Sequence, residues 1–254
     1  MTLLEIDALS VCFGGVAAVT EVSLAIAAGE IHGIIGPNGA GKTSLINAVT
    51  GMVVPQSGSI CFAEKQIAGV APHVISSFGL GRTFQHVELF GDRSVFDNVL
   101  TGFYRHQSYG LFAAALRLPK VTQSERRMRE QTDKLLDAFD LASFADTRAG
   151  LLPFGIQKRV DIARALAAEP RLLLLDEPVS GMSEAEAEAA VTTMRNLARE
   201  HGITLVVVEH NMHVLMNLAE RVTVLNQGRL LASGTPVEIQ ANAAVIEAYL
   251  GDAE

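Results

Sequence analysis

The strongest chemical signal in the chain is Gly36-Pro37-Asn38-Gly39-Ala40-Gly41-Lys42-Thr43, which meets the spacing G-x-x-x-x-G-K-[ST] at every fixed position. Gly36, Gly39 and Gly41 let the backbone take positive φ and come close to an anion. The Lys42 ammonium reaches the outer phosphates of a nucleotide, and the Thr43 hydroxyl suits a magnesium ion. A glycine-rich turn that matches by chance is the alternative. The flanks argue against it: Glu30 to Ile35 reads as a short buried strand, and Lys42, Thr43 and Ser44 open a stretch to Val49 with the apolar spacing of a helix whose N-terminus faces the phosphates.

Two more apolar runs end in groups that can act on a phosphate. Arg171 to Leu175 leads into Asp176-Glu177, which puts adjacent carboxylates at the C-terminal edge of a parallel sheet, pointing to different sides. Asp176 suits Mg2+, and Glu177 suits polarising a water for in-line attack. Alone, such a pair is equally a strand end meeting solvent; with the phosphate loop it becomes a catalytic candidate. Ile203 to Val208 ends in Glu209-His210, where His210 can hydrogen-bond a terminal phosphate. Gln85 closes the strand-like Leu80 to Phe84 and can orient water or magnesium. His32, His73, His86, His106, His201 and His213 have no such placement and read as surface or satisfied core histidines.

These residues need a sheet with helices around it. Leu3 to Ala27 alternates loosely on either side of Gly14-Gly15 and predicts a β-hairpin, Ser59 to Ala63 predicts a further strand, and a short helix follows Ala71-Pro72. From His86 to about Leu152 there is no good strand, and helices are expected at Ser94 to Thr101, 110–118 and Gln123 to Phe139. The charged run Ser124 to Glu130 reads as a solvated helix face, with phosphate or lipid contact as the alternative. Beyond Pro153 the pattern alternates again: a helix over Lys158 to Ala168, a capping box Ser183 to Glu186 opening a helix to about Arg199, a strand at Val222 to Asn226, and a helix after Thr235-Pro236. The expected organisation is a single α/β domain, with 1–85 and 158–254 forming a catalytic lobe and 86–157 a helical lobe.

Composition narrows the class. The 254 residues are 49% apolar, yet no run of about eighteen apolar residues occurs, and the opening residues lack a signal-peptide layout, so a cytoplasmic protein is expected. A formal charge of −8 argues against a broad basic face for nucleic acid. Cys12 and Cys61 lie in expected strands without metal-spaced companions. They read as small buried hydrophobes, with a disulfide as the minor reading.

Gly36 to Thr43, Gln85, Leu152 to Arg159, Leu172 to Glu177, Ser180-Gly-Met-Ser183 and His210 occur in the order of the ATP-binding cassette (ABC) ATPases, and the resemblance covers essentially the whole chain. Within that family the sequence looks most like the ATP-binding subunits of importers for branched-chain amino acids and related polar solutes. Arg82 to Phe90, Asn98 to Gly102, Val208 to Met212, Asn226-Gln-Gly228 and Ala248 to Gly251 carry that likeness. The resemblance implies a P-loop NTPase (RecA-like) core with an N-terminal antiparallel β layer and an inserted helical subdomain. It implies a head-to-tail dimer around two ATP molecules, with Gly36 to Ser44, Gln85, Asp176, Glu177 and His210 from one subunit and Gly155 from the other. Thr43, Gln85 and Asp176 would serve Mg2+. Phe13 matches the aromatic that stacks on adenine, and a hairpin core residue is the other reading. Membrane permease subunits, reached through the Gln85 to Leu100 surface, and indirectly a periplasmic or extracellular solute-binding protein are the implied partners. The chain would sit on the inner face of the cell membrane.

Two departures from the family pattern stand out. Leu152-Pro153-Phe154-Gly155-Ile156 replaces the usual Leu-Ser-Gly-Gly-Gln, removing a serine hydroxyl that would meet the terminal phosphate, although a helix N-terminus there still offers positive potential. Ser183 stands where the family often has aspartate. A competing function is a soluble single-cassette ATPase in an assembly process such as iron–sulfur cluster assembly. A small-molecule kinase or GTPase is disfavoured, because no guanine-reading motif occurs and the 152–159 stretch would be unexplained.

Overall fold

A computed structural model describes residues 1–85, 87–106 and 119–250. His86 and the helix expected at 110–118 lie outside the described residues. The chain divides into two compact units. Met1–Arg82, Arg171–Pro178 and Met194–Glu254 form the first, and Thr83–Pro170 with Val179–Thr193 the second.

The first unit holds two sheets. β1 (Thr2–Phe13) and β2 (Val16–Ala27) form the expected hairpin, and β4 (Ser57–Phe62) and β5 (Lys65–Gln66) extend it in the antiparallel order β2-β1-β4-β5. The alternation in β1 is loose because Ala8 adopts φ 43° and shifts the register between Ile6 and Leu9, so Ile6, Leu9 and Val11 all face inward. The same pleat corrects the reading of the cysteines. Cys12 follows Val11 on the outward side and is exposed, Cys61 is half-buried, and both are free thiols.

The second sheet has the order β10-β9-β3-β8-β7-β6, built from β3 (Ile31–Ile35), β6 (Leu80–Arg82), β7 (Leu172–Asp176), β8 (Thr204–Val208), β9 (Arg221–Asn226) and β10 (Arg229–Gly234). All pairings are parallel except β9 with β10. Every residue of β3, β7 and β8 is buried, which is why these segments are mostly apolar instead of alternating, with buried His32 the polar exception inside β3. β6 stops at Arg82, short of the strand expected to Phe84. Helix α1 (Lys42–Val49) buries Leu45, Ile46, Ala48 and Val49 in one core with Ile6, Phe62, Val206 and Leu225, joining the two sheets. The short helix α2 (Pro72–Ser77) lies where expected.

In the second unit, α3 (Val95–Phe103) is capped by Ser94, whose Oγ accepts from Asp97 N at 3.0 Å. Fully buried Asn98 binds both the N–H and the C=O of Phe90 and so fixes the preceding loop. Helix α4 (Pro119–Ala138) covers the expected Gln123 helix, and α5 (Phe154–Ala167) begins four residues before the expected Lys158, with Pro153 as its N-cap. The α5 helix belongs to this unit because Gly102 of α3 packs on it so closely that a Cβ there would lie 2.3 Å from Arg164 O. The lobe boundaries expected at 85/86 and 157/158 therefore divide the chain elsewhere than the structure does. Helix α6 (Glu184–His201) opens with the expected box: Ser183 N donates to Glu186 Oε2 at 2.9 Å and Glu186 N to Ser183 Oγ at 3.4 Å.

The first unit ends with α7 (Met212–Leu218), α8 (Pro236–Gln240), which carries a full capping box from Thr235 and Glu238, and α9 (Ala243–Leu250).

Candidate active site

Strand register brings the chemical groups together. Ile34 of β3 and Asp176 of β7 both pair with Val208 of β8, so the three strands end at one level. The phosphate loop leaves β3 there, Glu177 follows β7, and Glu209-His210 follows β8. This is the C-terminal edge of the parallel strands, where ligands of open α/β sheets bind.

The loop is held from behind. Gly36 and Gly41 have φ of 156° and 97°, and a Cβ on them would lie 2.2 Å from Leu225 O and 2.3 Å from Ala18 O. Only glycine fits against those carbonyls. Gly228 N donates to Ala40 O at 3.1 Å, tying the β9–β10 turn to the loop. On the other side a Cβ at Gly39 would meet no heavy atom within 4 Å, and Asn38, Gly39 and Thr43 are exposed while Pro37 and Ser44 are half-buried.

Lys42 is buried and folds back on its own loop, with Nζ donating to Gly36 O at 2.6 Å and to Pro37 O at 3.0 Å. Burial pulls its ammonium below the ordinary lysine range, and the nearby Glu177 and then Asp176 carboxylates oppose that shift.

Asp176 is buried, and its Oδ2 accepts from Arg82 Nη2 at 3.3 Å. Glu177 adopts φ 50° just past the strand, while its N–H still donates to Val208 O at 2.9 Å, so the backbone turns without leaving the sheet. A non-glycine residue at positive φ carries strain of about 1–2 kcal/mol. The turn aims the side chain at β8, where Glu177 Oε1 lies 2.7 Å from His210 Nε2. His210, expected to meet a terminal phosphate, is here the partner of the carboxylate.

Phe13 ends β1 and is 49% exposed, which removes the hairpin-core reading. Gln85 and Gly155 belong to the second unit. The Gln85 side chain is exposed, and its carbonyl accepts from buried Lys158 Nζ at 2.9 Å. Gly155 is the second residue of α5, where Pro153 offers no side-chain cap, and a Cβ on it would approach Gly181 O to 3.3 Å. Helix N-termini leave backbone N–H groups without helical partners, a setting that favours an anion.

One residue was missed by sequence reasoning. Arg82 Nη1 donates to Asn47 Oδ1 at 2.7 Å and Thr50 Oγ1 at 3.1 Å while Nη2 holds Asp176. In the sequence Arg82 stands out only as a charged residue closing a short strand and as the first residue of the 82–90 stretch that carries the subfamily likeness.

The residues present fit a nucleotide phosphate and a hard cation. Gly39 leaves one side of the loop open, Lys42 supplies a positive charge, and Thr43 with Asp176 supplies oxygen donors of the kind Mg2+ takes.

A family profile described as ABC transporter matches residues 19–180, and one described as branched-chain amino acid ATP-binding cassette transporter matches 229–254. The chain is 38% identical over 251 residues to the high-affinity branched-chain amino acid transport ATP-binding protein BraF of Pseudomonas aeruginosa, covering 99% of this chain and 98% of that one. It is 36% identical over the same coverage to LivG of Escherichia coli K12, which has the same description. The ADP conformation of an ATP-binding cassette of an ABC transporter superposes with a TM-score of 0.83, at 30% identity and 99% coverage of each chain. Among the described residues no helix is long and apolar enough to cross a membrane.

Proposed function

The chain belongs to the ABC transporter ATP-binding family, and from that premise we propose that it is the ATP-hydrolysing subunit of an importer for branched-chain amino acids or a closely related solute. The observation that carries the proposal is the shared register of β3, β7 and β8, which gathers Lys42, Asp176, Glu177 and His210 at one sheet edge. The named relatives are transport subunits, which favours an importer over a soluble assembly ATPase.

In this reading the loop amides and Lys42 bind the phosphates of ATP, and Phe13, exposed at its hairpin tip, stacks on the adenine. Lys42 exchanges its bonds to Gly36 O and Pro37 O for phosphate oxygens, so the loop is already shaped around the ammonium. Thr43 and Asp176 would hold Mg2+, which when bound offsets phosphate charge. Glu177 takes the proton of the attacking water as the water oxygen bonds to the terminal phosphorus and the bond to the ADP oxygen breaks. His210 fixes the orientation of the Glu177 carboxylate. Gly155 and the α5 N-terminus complete the site of a second ATP-binding subunit in a head-to-tail dimer. Permease subunits bind the Gln85 to Leu100 surface at the inner face of the membrane, with a solute-binding protein delivering substrate to them.

Uptake of labelled leucine, isoleucine and valine tests the proposal in cells whose only copy carries Glu177→Gln. Uptake of at least one should be lost; unchanged uptake of all three overturns the solute assignment.

A further inference from the structure

Two of the chain groups expected at Mg2+ come from different elements of the first unit: Thr43 from α1 and Asp176 from the end of β7. Arg82 is hydrogen-bonded to both elements. Asn47 lies one turn beyond Thr43 on the same side of α1 and Thr50 is the C-cap of that helix, so Arg82 holds the side of α1 on which Thr43 stands. Its other terminal nitrogen holds Asp176 Oδ2. The side chains of Arg82 and Asp176 are 9% and 7% exposed, so solvent screens the pair little. The guanidinium is suited to this by shape, because its planar fork places two nitrogens in fixed relation, which a lysine cannot do.

We propose that Arg82 is a positioning residue for the metal end of the site, setting the separation between the Asp176 carboxylate and the Thr43 hydroxyl by bracing β7 against α1. The inference rests on the reading of Asp176 and Thr43 as Mg2+ ligands. It predicts that loss of Arg82 weakens the metal-dependent part of nucleotide binding and spares the metal-independent part, which belongs to the loop amides and Lys42. A general loosening of the fold would weaken both alike.

The test measures binding of a fluorescent ATP analogue to the full chain, first in EDTA and then as Mg2+ is titrated. The variants are Arg82→Met, Arg82→Lys and, as a reference, Asp176→Asn. For Arg82→Met, affinity in EDTA should stay within about twofold of the parent while the Mg2+ concentration for half-maximal tightening rises about 10- to 100-fold, the usual effect of losing a group that orients a metal ligand. Arg82→Lys keeps the charge, should fold where the methionine variant does not, and should show a smaller rise in the same direction. If Asp176→Asn loses the Mg2+ response while both Arg82 variants keep the parental one, Arg82 does not position the ligand and the reading of Asp176 survives. Equal weakening in EDTA and in Mg2+ also overturns the inference. If Asp176→Asn keeps the parental response, the metal role of Asp176 fails and the inference falls with it.

Discussion

His210 Nε2 lies 2.7 Å from Glu177 Oε1, joining the first residue beyond β7 to the second beyond β8. The contact exists because the two strands end level and Glu177 turns through a left-handed backbone conformation toward its neighbour. In the proposed mechanism that contact orients the carboxylate that takes a proton.

Glu177→Gln removes the base and keeps the size and hydrogen-bonding capacity of the side chain. Turnover should fall by about 100- to 10,000-fold, the usual contribution of general base catalysis, while an ATP-bound dimer persists and is detectable by gel filtration. Undiminished hydrolysis would take Glu177 out of the role of base.

His210→Ala leaves the Glu177 carboxylate in place without its nitrogen partner. A hydrogen bond to a charged group contributes about 1.5–3 kcal/mol, so kcat should drop about 10- to 100-fold. ATP affinity should barely change, and His210→Gln, which still offers a donor, should recover part of the loss. An equal fall in affinity and kcat would instead indicate that His210 binds phosphate directly.

The phosphate-loop glycines should not tolerate substitution equally. Gly39→Ala meets open space and carries only the positive-φ strain of about 1–2 kcal/mol. Gly41→Ala adds a Cβ 2.3 Å from a backbone oxygen, so it should lower the melting temperature further and abolish nucleotide binding. Similar melting temperatures for the two variants would contradict the clamped loop.

How much could be seen in advance differs by element. β7 and β8 were legible as apolar runs and β3 as a short buried strand, while the capping box at Ser183 and the proline after Thr235 announced their helices, because these signals are local. Arg82 was not legible: its partners Asn47, Thr50 and Asp176 lie 35, 32 and 94 residues away, and a three-residue strand shows no period. The pairing of His210 with Glu177 depends on β7–β8 register, which apolar runs do not specify. The exposure of Cys12 depends on a bulge that no residue type at Ala8 signals.

Acid stability should depend on Glu30. Burial alone would raise its pKa, but the hydrogen bond with the His32 ring and the one from the Ala27 N–H outweigh it and hold the carboxyl below the usual 4.5. A carboxylate with a depressed folded pKa contributes stability above 4.5 and loses it as pH falls through the lower folded value. Glu30→Gln should therefore melt below the parent at neutral pH, by about 1.5 kcal/mol if one charged hydrogen bond is lost, and the gap should close as pH drops below 4.5. A gap that is constant with pH would contradict this.

The most direct test of the central claim is the identity of the membrane proteins that co-purify with the tagged chain after mild detergent extraction from its native source. Permease subunits of an amino acid importer should be recovered together with the chain, in stoichiometric amount. Repeated recovery of the chain without any membrane subunit would contradict its assignment as a transport ATPase.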